Sequence, residues 1–381
     1  MAASDSAEAP AWERPATFVE GFHNEAAVRK MPLRPLGRTG RRVSVLALGA
    51  SALGGVYGDD TSGAEAEAVV VDSIRAGVNV VDTAPWYGHG RSEEVLGRAL
   101  SGVPRSAYYL HTKVGRYESA VDKMFDFRAE RVERSVEQSL ARLRVEHLDL
   151  VQVHDPEFAP SLRVVLEQTL PALQRLVDRG KVRGVGITGY PLGVLRELAE
   201  RSTVPLDTCL SYCRLNLEDT SLADSGAAAE LSGGRGLGLI SASPLAMGLL
   251  TAAGPPSWHP AGAAAKAAAA AAAAYAAERG SDISRLAMVF ALRRPEPATV
   301  MVSTASRAYA ADNVAYATGE KSLTDDEESL MAEIRERFFE PLQRRGEQHW
   351  EGLEVDAYWT RLGKRLCAQS LYPELLRDDD K

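Results

Sequence analysis

Cysteine is scarce: Cys209, Cys213 and Cys367 are the three in 381 residues. An odd, low count excludes a disulfide scaffold. The CxxxC spacing of the first two fits neither a redox pair nor the usual zinc ligands. Free, buried or half-buried thiols in a reducing compartment are expected, and no metal site. Long apolar runs are also missing. The first thirty residues hold no stretch suited to a signal peptide or a membrane span. Their acids, Asp5, Glu8, Glu13 and Glu20, argue against a transit peptide. Positive charge is not in excess either. The formal net charge is −8, which offers nothing to a nucleic acid. A cytoplasmic chain without membrane or nucleic-acid partners is the expectation. A G-x-G-x-x-G fingerprint is absent as well. Leu48-Gly49-Ala50-Ser51-Ala52-Leu53-Gly54 is a poor match, which counts against a Rossmann domain.

What is present is an alternation. Composition is ordinary, 45% apolar and 25% charged, with ample material for a core. Short apolar runs at 43–49, 78–81, 108–113, 148–154, 182–187, 206–210, 237–242 and 298–302 read as strands. Amphipathic stretches follow them, at 64–76, 92–100, 128–143, 162–178 and 191–201, to about 231, and from 303 to about 318. Strands this apolar, each followed by a helix, imply a parallel sheet under helices. Eight repeats in about 280 residues fit a closed (β/α)8 TIM barrel, an α/β fold, with extra helices and terminal extensions. The boundaries expected are 1–34 for a flexible extension, 35–340 for the barrel and 341–381 for a tail. The alanine run 261–277 is low in complexity yet strongly helix-forming. Trp350, Tyr358 and Trp359 suggest a tail that docks on the barrel or on another subunit.

Barrel chemistry sits at the carboxyl ends of the strands. There the second strand ends in Asp82, the third in Lys113 and the fourth in His154, and Tyr87 follows between Pro85 and Gly88. An acid is rarely buried without a partner. A free phenol titrates near pH ~10, and a neighbouring ammonium favours its phenolate. Lys113 is thus expected to lower the pKa of Tyr87, with Asp82 holding Lys113. Tyr87 becomes a general acid/base, and His154 guides a substrate oxygen. Such a set moves a proton at an oxygen while a hydride moves at the attached carbon, which implies a nicotinamide carrier. Taken singly, Asp82–Lys113 reads equally as a structural ion pair, Tyr87 as a loop aromatic and His154 as a strand-end turn.

Asp82-Thr-Ala-Pro-Trp-Tyr87-Gly88, Thr112-Lys113, His154-Asp155 and Gly186-Ile187-Thr188-Gly189 resemble the aldo-keto reductase superfamily over roughly 35–330. Ser241-Ala242-Ser243-Pro244-Leu245-Ala246-Met247-Gly248, Gly254-Pro255-Pro256-Ser257-Trp258-His259 and Gly115-Arg116-Tyr117 resemble its L-galactose dehydrogenase-like subgroup. The resemblance implies a catalytic tetrad of Asp82, Tyr87, Lys113 and His154. It implies cofactor contacts at Gly49, Ser51, Asp82, Thr188, Ser211, Ser243, Leu245, Gly248, Ser303, Asp312 and Asn313. Trp86, Tyr117 and Trp258 are expected as walls for a sugar; each has a packing alternative.

Two departures stand out. Ala242 occupies the place of the family's stacking tyrosine, and Thr188-Gly189 that of its Ser-Asn. NADP-preferring members carry a lysine near Ser303 and an arginine near Tyr309; both are missing here, and Arg307 is the nearest substitute. A phosphate without cations loses strong hydrogen bonds, so NAD is expected over NADP. The expected activity is an NAD-dependent aldose 1-dehydrogenase acting on L-galactose or a related sugar. The alternatives are an NAD(P)H-dependent aldehyde or ketone reductase and a non-catalytic nucleotide-binding scaffold. The expected state is a monomer or homodimer.

Overall fold

The computed structural model describes residues 12–58 and 64–363. Ten strands are present among them. β1 (Leu33–Pro35) and β2 (Arg42–Ser44) form an antiparallel hairpin. The others are β3 (Leu46–Gly49), β4 (Val80–Asp82), β5 (Tyr109–Val114), β6 (Leu150–His154), β7 (Val185–Gly189), β8 (Thr208–Tyr212), β9 (Gly238–Ala242) and β10 (Thr299–Ser303). These eight run parallel in sequence order, and β10 pairs with both β9 and β3 to close a (β/α)8 TIM barrel.

Strand alternation divides each wall. Leu48, Val81, Leu110, Val151, Ile187, Cys209 and Leu239 face outward into the core beneath the helices. Ala47, Val80, Leu210, Ile240 and Met301 pack inside the barrel. The helices present amphipathic stripes to that outer core; Ala129–Leu143 buries Val132, Val136, Leu140 and Leu143 at spacings of four, four and three.

The run 43–49, expected as one strand, is two. Asn79 fixes the corner. Its Oδ1 accepts from the Ser44 amide (2.8 Å), and its Nδ2 donates to the Arg42 carbonyl (3.1 Å). The hairpin caps the amino end of the barrel. Leu36 and Val43 join the interior core, and Gly37 lies so close to the start of β9 that a Cβ there would meet the Gly238 nitrogen at 2.3 Å. Arg34, Arg38 and Arg41 donate to the carbonyls of Pro297, Leu206 and Asp149 around the rim. The expected flexible extension is folded from residue 12 onward and seated on the barrel: the Arg29 guanidinium lies 4.1 Å from the Trp12 ring centroid within it, Asn79 donates to Thr17 Oγ1, and the Arg75 guanidinium lies 5.4 Å from the Phe22 ring centroid.

The alanine run forms Ala263–Glu278 within the β9–β10 connection. Ala265, Ala269, Ala272 and Ala276 are its buried stripe, packed with Leu286, Phe290, Leu330, Ile334 and Phe339 outside the barrel. The tail docks on the barrel mouth. Trp350 stacks on Tyr190 (4.4 Å, 13°), and helix Leu353–Leu362 sets Tyr358 edge-on to Phe125 and Phe158. Cys209 and Cys213 are buried free thiols, and Cys367 lies outside the described residues. No helix of the described residues is long and apolar enough to cross a membrane.

Candidate active site

The inward-facing residues at the carboxyl ends of successive strands include Asp82 on β4, Lys113 on β5, and Gln152 and His154 on β6. Lys113 Nζ donates to Asp82 Oδ1 and to the Thr83 carbonyl (2.9 Å). Gln152 Nε2 donates to Asp82 Oδ2 (2.9 Å). Both oxygens of the buried acid therefore have partners, as burial requires. Gln152 escaped the sequence reading, although the same alternation that exposes His154 exposes Gln152 two residues earlier.

Tyr87 reaches this cluster from the loop after β4. Its ring centroid is 4.8 Å from Lys113 Nζ and 5.9 Å from the His154 ring, which it meets edge-on at 86°. The loop is fixed by a contact between two glycines. A Cβ on Gly54 would lie 2.6 Å from the Tyr87 carbonyl carbon. One on Gly88, at φ +64°, would lie 2.3 Å from the Gly54 oxygen. Only glycine fits either position.

Burial and charge set the protonation states. Burial pushes the Asp82 carboxyl up, while Lys113 and Gln152 pull it back. Burial opposes the Lys113 charge, but Asp82 and Tyr87 overcome it and hold the ammonium above its ordinary value. The Tyr87 phenol is raised, chiefly by burial, and Lys113 offsets only part of this. The expected net lowering of Tyr87 is not what the site gives. His154 is held well below the usual imidazole value by burial and then by Lys113 and Arg116, so it is neutral. Its Nδ1 is buried without a protein partner.

Asp82, Tyr87, Lys113 and His154 line a cavity of about 140 Å³ together with Trp86, Thr188, Tyr57, Arg116, Asp155, Tyr212 and Glu354. The last five were missed as site residues. Tyr212 faces inward on β8 and was available from alternation; Glu354 comes from the tail and carries no local signal. Arg116 pairs with Asp155 (2.7 Å) and stacks on Trp86 (4.2 Å).

A trough leads away from Tyr87. Gly49, Ser51, Asp82, Ser243, Leu245, Gly248 and Ser303 line its nearer part. Ser303, Thr304, Asp312 and Asn313 line its continuation. Three expected residues lie outside these walls. Ser211 falls between inward-facing Leu210 and Tyr212, so alternation turns it to the outer side of β8, where it is fully buried. Tyr117 is buried under the Arg131 guanidinium, 3.6 Å from its ring centroid, rather than in the cavity. Trp258 is half exposed and stands outside the cavity, 6.0 Å from the Tyr57 ring. Arg307 is tied to Asp72 at 2.6 Å, away from the trough.

The family model for the aldo/keto reductase family matches residues 45–336. L-galactose dehydrogenase from Arabidopsis thaliana is 42% identical over 319 residues, 82% of this chain and 96% of that protein. D-arabinose 1-dehydrogenase from Saccharomyces cerevisiae is 33% identical over 260 residues, 66% of this chain and 75% of that protein. A solved aldo-keto reductase from Bacillus halodurans, in its holo form, superposes with a TM-score of 0.62 at 25% identity, covering 80% of this chain and 96% of that one. The chain belongs to the aldo/keto reductase family and is an oxidoreductase acting on CH–OH groups.

Proposed function

We propose that the protein is an NAD-dependent aldose 1-dehydrogenase that oxidises a neutral sugar at its anomeric carbon to a lactone. The observation that carries this reading is the position of Tyr87. It stands between Lys113 and neutral His154, on the one stretch of wall shared by the cavity and the trough. The two sugar dehydrogenases among its relatives support the substrate class.

The trough fits a dinucleotide by the chemistry of its walls. Ser51, Ser243, Thr251, Ser303, Thr304 and Asn313 supply hydroxyls and an amide, and Ala242 leaves open space beside Tyr87. Ser243, Leu245, Gly248, Ser303, Asp312 and Asn313 are the residues to hold it, and a bound nicotinamide supplies the hydride acceptor. The Tyr87 oxygen takes the proton of the anomeric hydroxyl, and the Lys113 charge stabilises the phenolate needed for this. Asp82 and Gln152 keep Lys113 aimed. His154, uncharged, donates a hydrogen bond to the substrate oxygen and so orients the reacting carbon.

Two features at the far end of the trough favour NAD. Lys321 is committed to Asp312 (2.6 Å) and Arg285 to Glu327 (3.1 Å). Asp282 adds negative charge that opposes a 2′-phosphate.

Reduction of an aldehyde or ketone, with hydride and proton moving the opposite way at the same site, is the second reading. The raised pKa of Tyr87 favours it, because a protonated phenol is the acid that reduction needs.

The test is NAD reduction measured over a panel of neutral aldoses. Tyr87→Phe is expected to lower kcat by roughly 10²–10⁴-fold while NAD binding, followed by fluorescence titration, is retained. Full turnover in the Phe variant removes the proton-transfer role.

A further inference from the structure

The cavity has two ends. Tyr87, Asp82, Ser51, Ala242 and Ser243 line both the cavity and the trough, so the reacting carbon belongs at that shared wall. Beyond Lys113 and His154, the residues that line the cavity and not the trough include Arg116, Asp155, Trp86 and Glu354, and these face the part of a substrate that lies away from the trough.

This remote wall is charged and built. Asp155 sits at φ +52°, a backbone conformation uncommon for a non-glycine residue. Its Oδ2 takes the Arg116 guanidinium, and its Oδ1 is buried with no protein partner. Arg116 Nε is likewise buried and unpartnered. Glu354 arrives from helix Leu353–Leu362, beyond the residues that the family model matches. A chain of contacts aims it. The Tyr190 ring stacks on Trp350, Tyr190 Oη accepts from the Trp350 amide (3.2 Å), and Trp350 Nε1 donates to Glu354 Oε2 (3.1 Å). The Arg116 charge is already matched by Asp155. Glu354 therefore adds acceptor capacity and negative charge to this wall, which suits hydroxyl donors and repels anions.

Building on the aldose reading above, we infer that Glu354 is a specificity-determining residue. Its carboxylate accepts hydrogen bonds from hydroxyl groups at the end of a neutral aldose remote from the reacting carbon. The tail thereby supplies part of the substrate site that the family-matched barrel alone does not.

The test crosses enzyme variants with monodeoxy substrates. The full-length wild type, Glu354→Ala and Glu354→Gln are assayed with the best aldose of the panel and with its monodeoxy analogues. Asp356→Asn, an exposed charge change on the same helix, serves as the control. Glu354→Ala is expected to lower kcat/KM for the parent sugar by roughly 10–100-fold, mainly through KM. For one analogue lacking a remote hydroxyl the further loss falls below about two-fold, because the partner is already gone. Glu354→Gln, which keeps one acceptor oxygen, falls between, and Asp356→Asn leaves the selectivity ratios unchanged. A uniform loss across all analogues, or no loss, overturns the inference while the aldose reading stands. A wild type that oxidises no aldose overturns both.

Discussion

At Tyr87 burial and a neighbouring ammonium act in opposite directions, and burial is the stronger. The phenolate is thus a minor form at neutral pH. Oxidation needs that phenolate, and reduction needs the neutral phenol. The sign follows directly. kcat/KM for sugar oxidation is expected to rise with pH from neutral into the alkaline range. Reduction is expected to stay level through neutrality and decline only at alkaline pH. His154 is neutral well below its ordinary value, so neither profile should carry an acidic limb near pH ~6.5. Profiles measured in both directions with the same enzyme check this; an oxidation rate independent of pH up to about 10 contradicts it. Lys113 could be named from sequence as the cation beside the phenol. The outcome of its contest with desolvation could not, because desolvation depends on how many groups surround the hydroxyl in three dimensions.

Single elements carried most of what was legible. Each barrel strand is a buried run of three to six residues, and the residue at its carboxyl end faces inward or outward by a period of two. Asp82, Lys113 and His154 were legible for that reason. The same period, applied to β8, selects Tyr212 and rejects Ser211; there the family likeness outweighed the geometry. The split of 43–49 into two strands was not legible, since the corner depends on Asn79, some 35 residues further on. Arg116 and Glu354 were hidden for a related reason: one follows its strand on a loop, and the other comes from a distant helix. The loop carrying Tyr87 offers a sharp test. Gly88→Ala introduces a Cβ 2.3 Å from the Gly54 oxygen at a positive φ, so two backbone segments must separate. Strain of this kind costs about 1–3 kcal/mol. The variant should melt at a lower temperature and lose roughly 10²-fold in kcat, as a misplacement of about 1 Å does. An Ala variant with wild-type kcat shows that the Gly54–Gly88 contact does not set the position of Tyr87.

Over the whole molecule, distribution of charge matters more than the net value. The described surface is rich in ion pairs, and the three cations nearest in sequence or space to the far end of the trough are already paired. Arg307 holds Asp72, Lys321 holds Asp312 and Arg285 holds Glu327. Arg307 looked free in the sequence because Asp72 belongs to a helix more than 200 residues earlier. kcat/KM is therefore expected to favour NAD over NADP by at least about tenfold, a difference of ~1.4 kcal/mol. Arg307→Ala should leave that ratio within about two-fold. Comparable kcat/KM values for the two cofactors contradict the expectation. The hairpin at the amino end has a consequence for traffic. With Leu36, Val43 and Gly37 packed into that end, the described residues close the well there, and it opens among the tail and the loops that follow the strands. On the aldose reading proposed above, product is expected to leave through the same mouth by which fresh sugar arrives, so that each waits for the other to clear it.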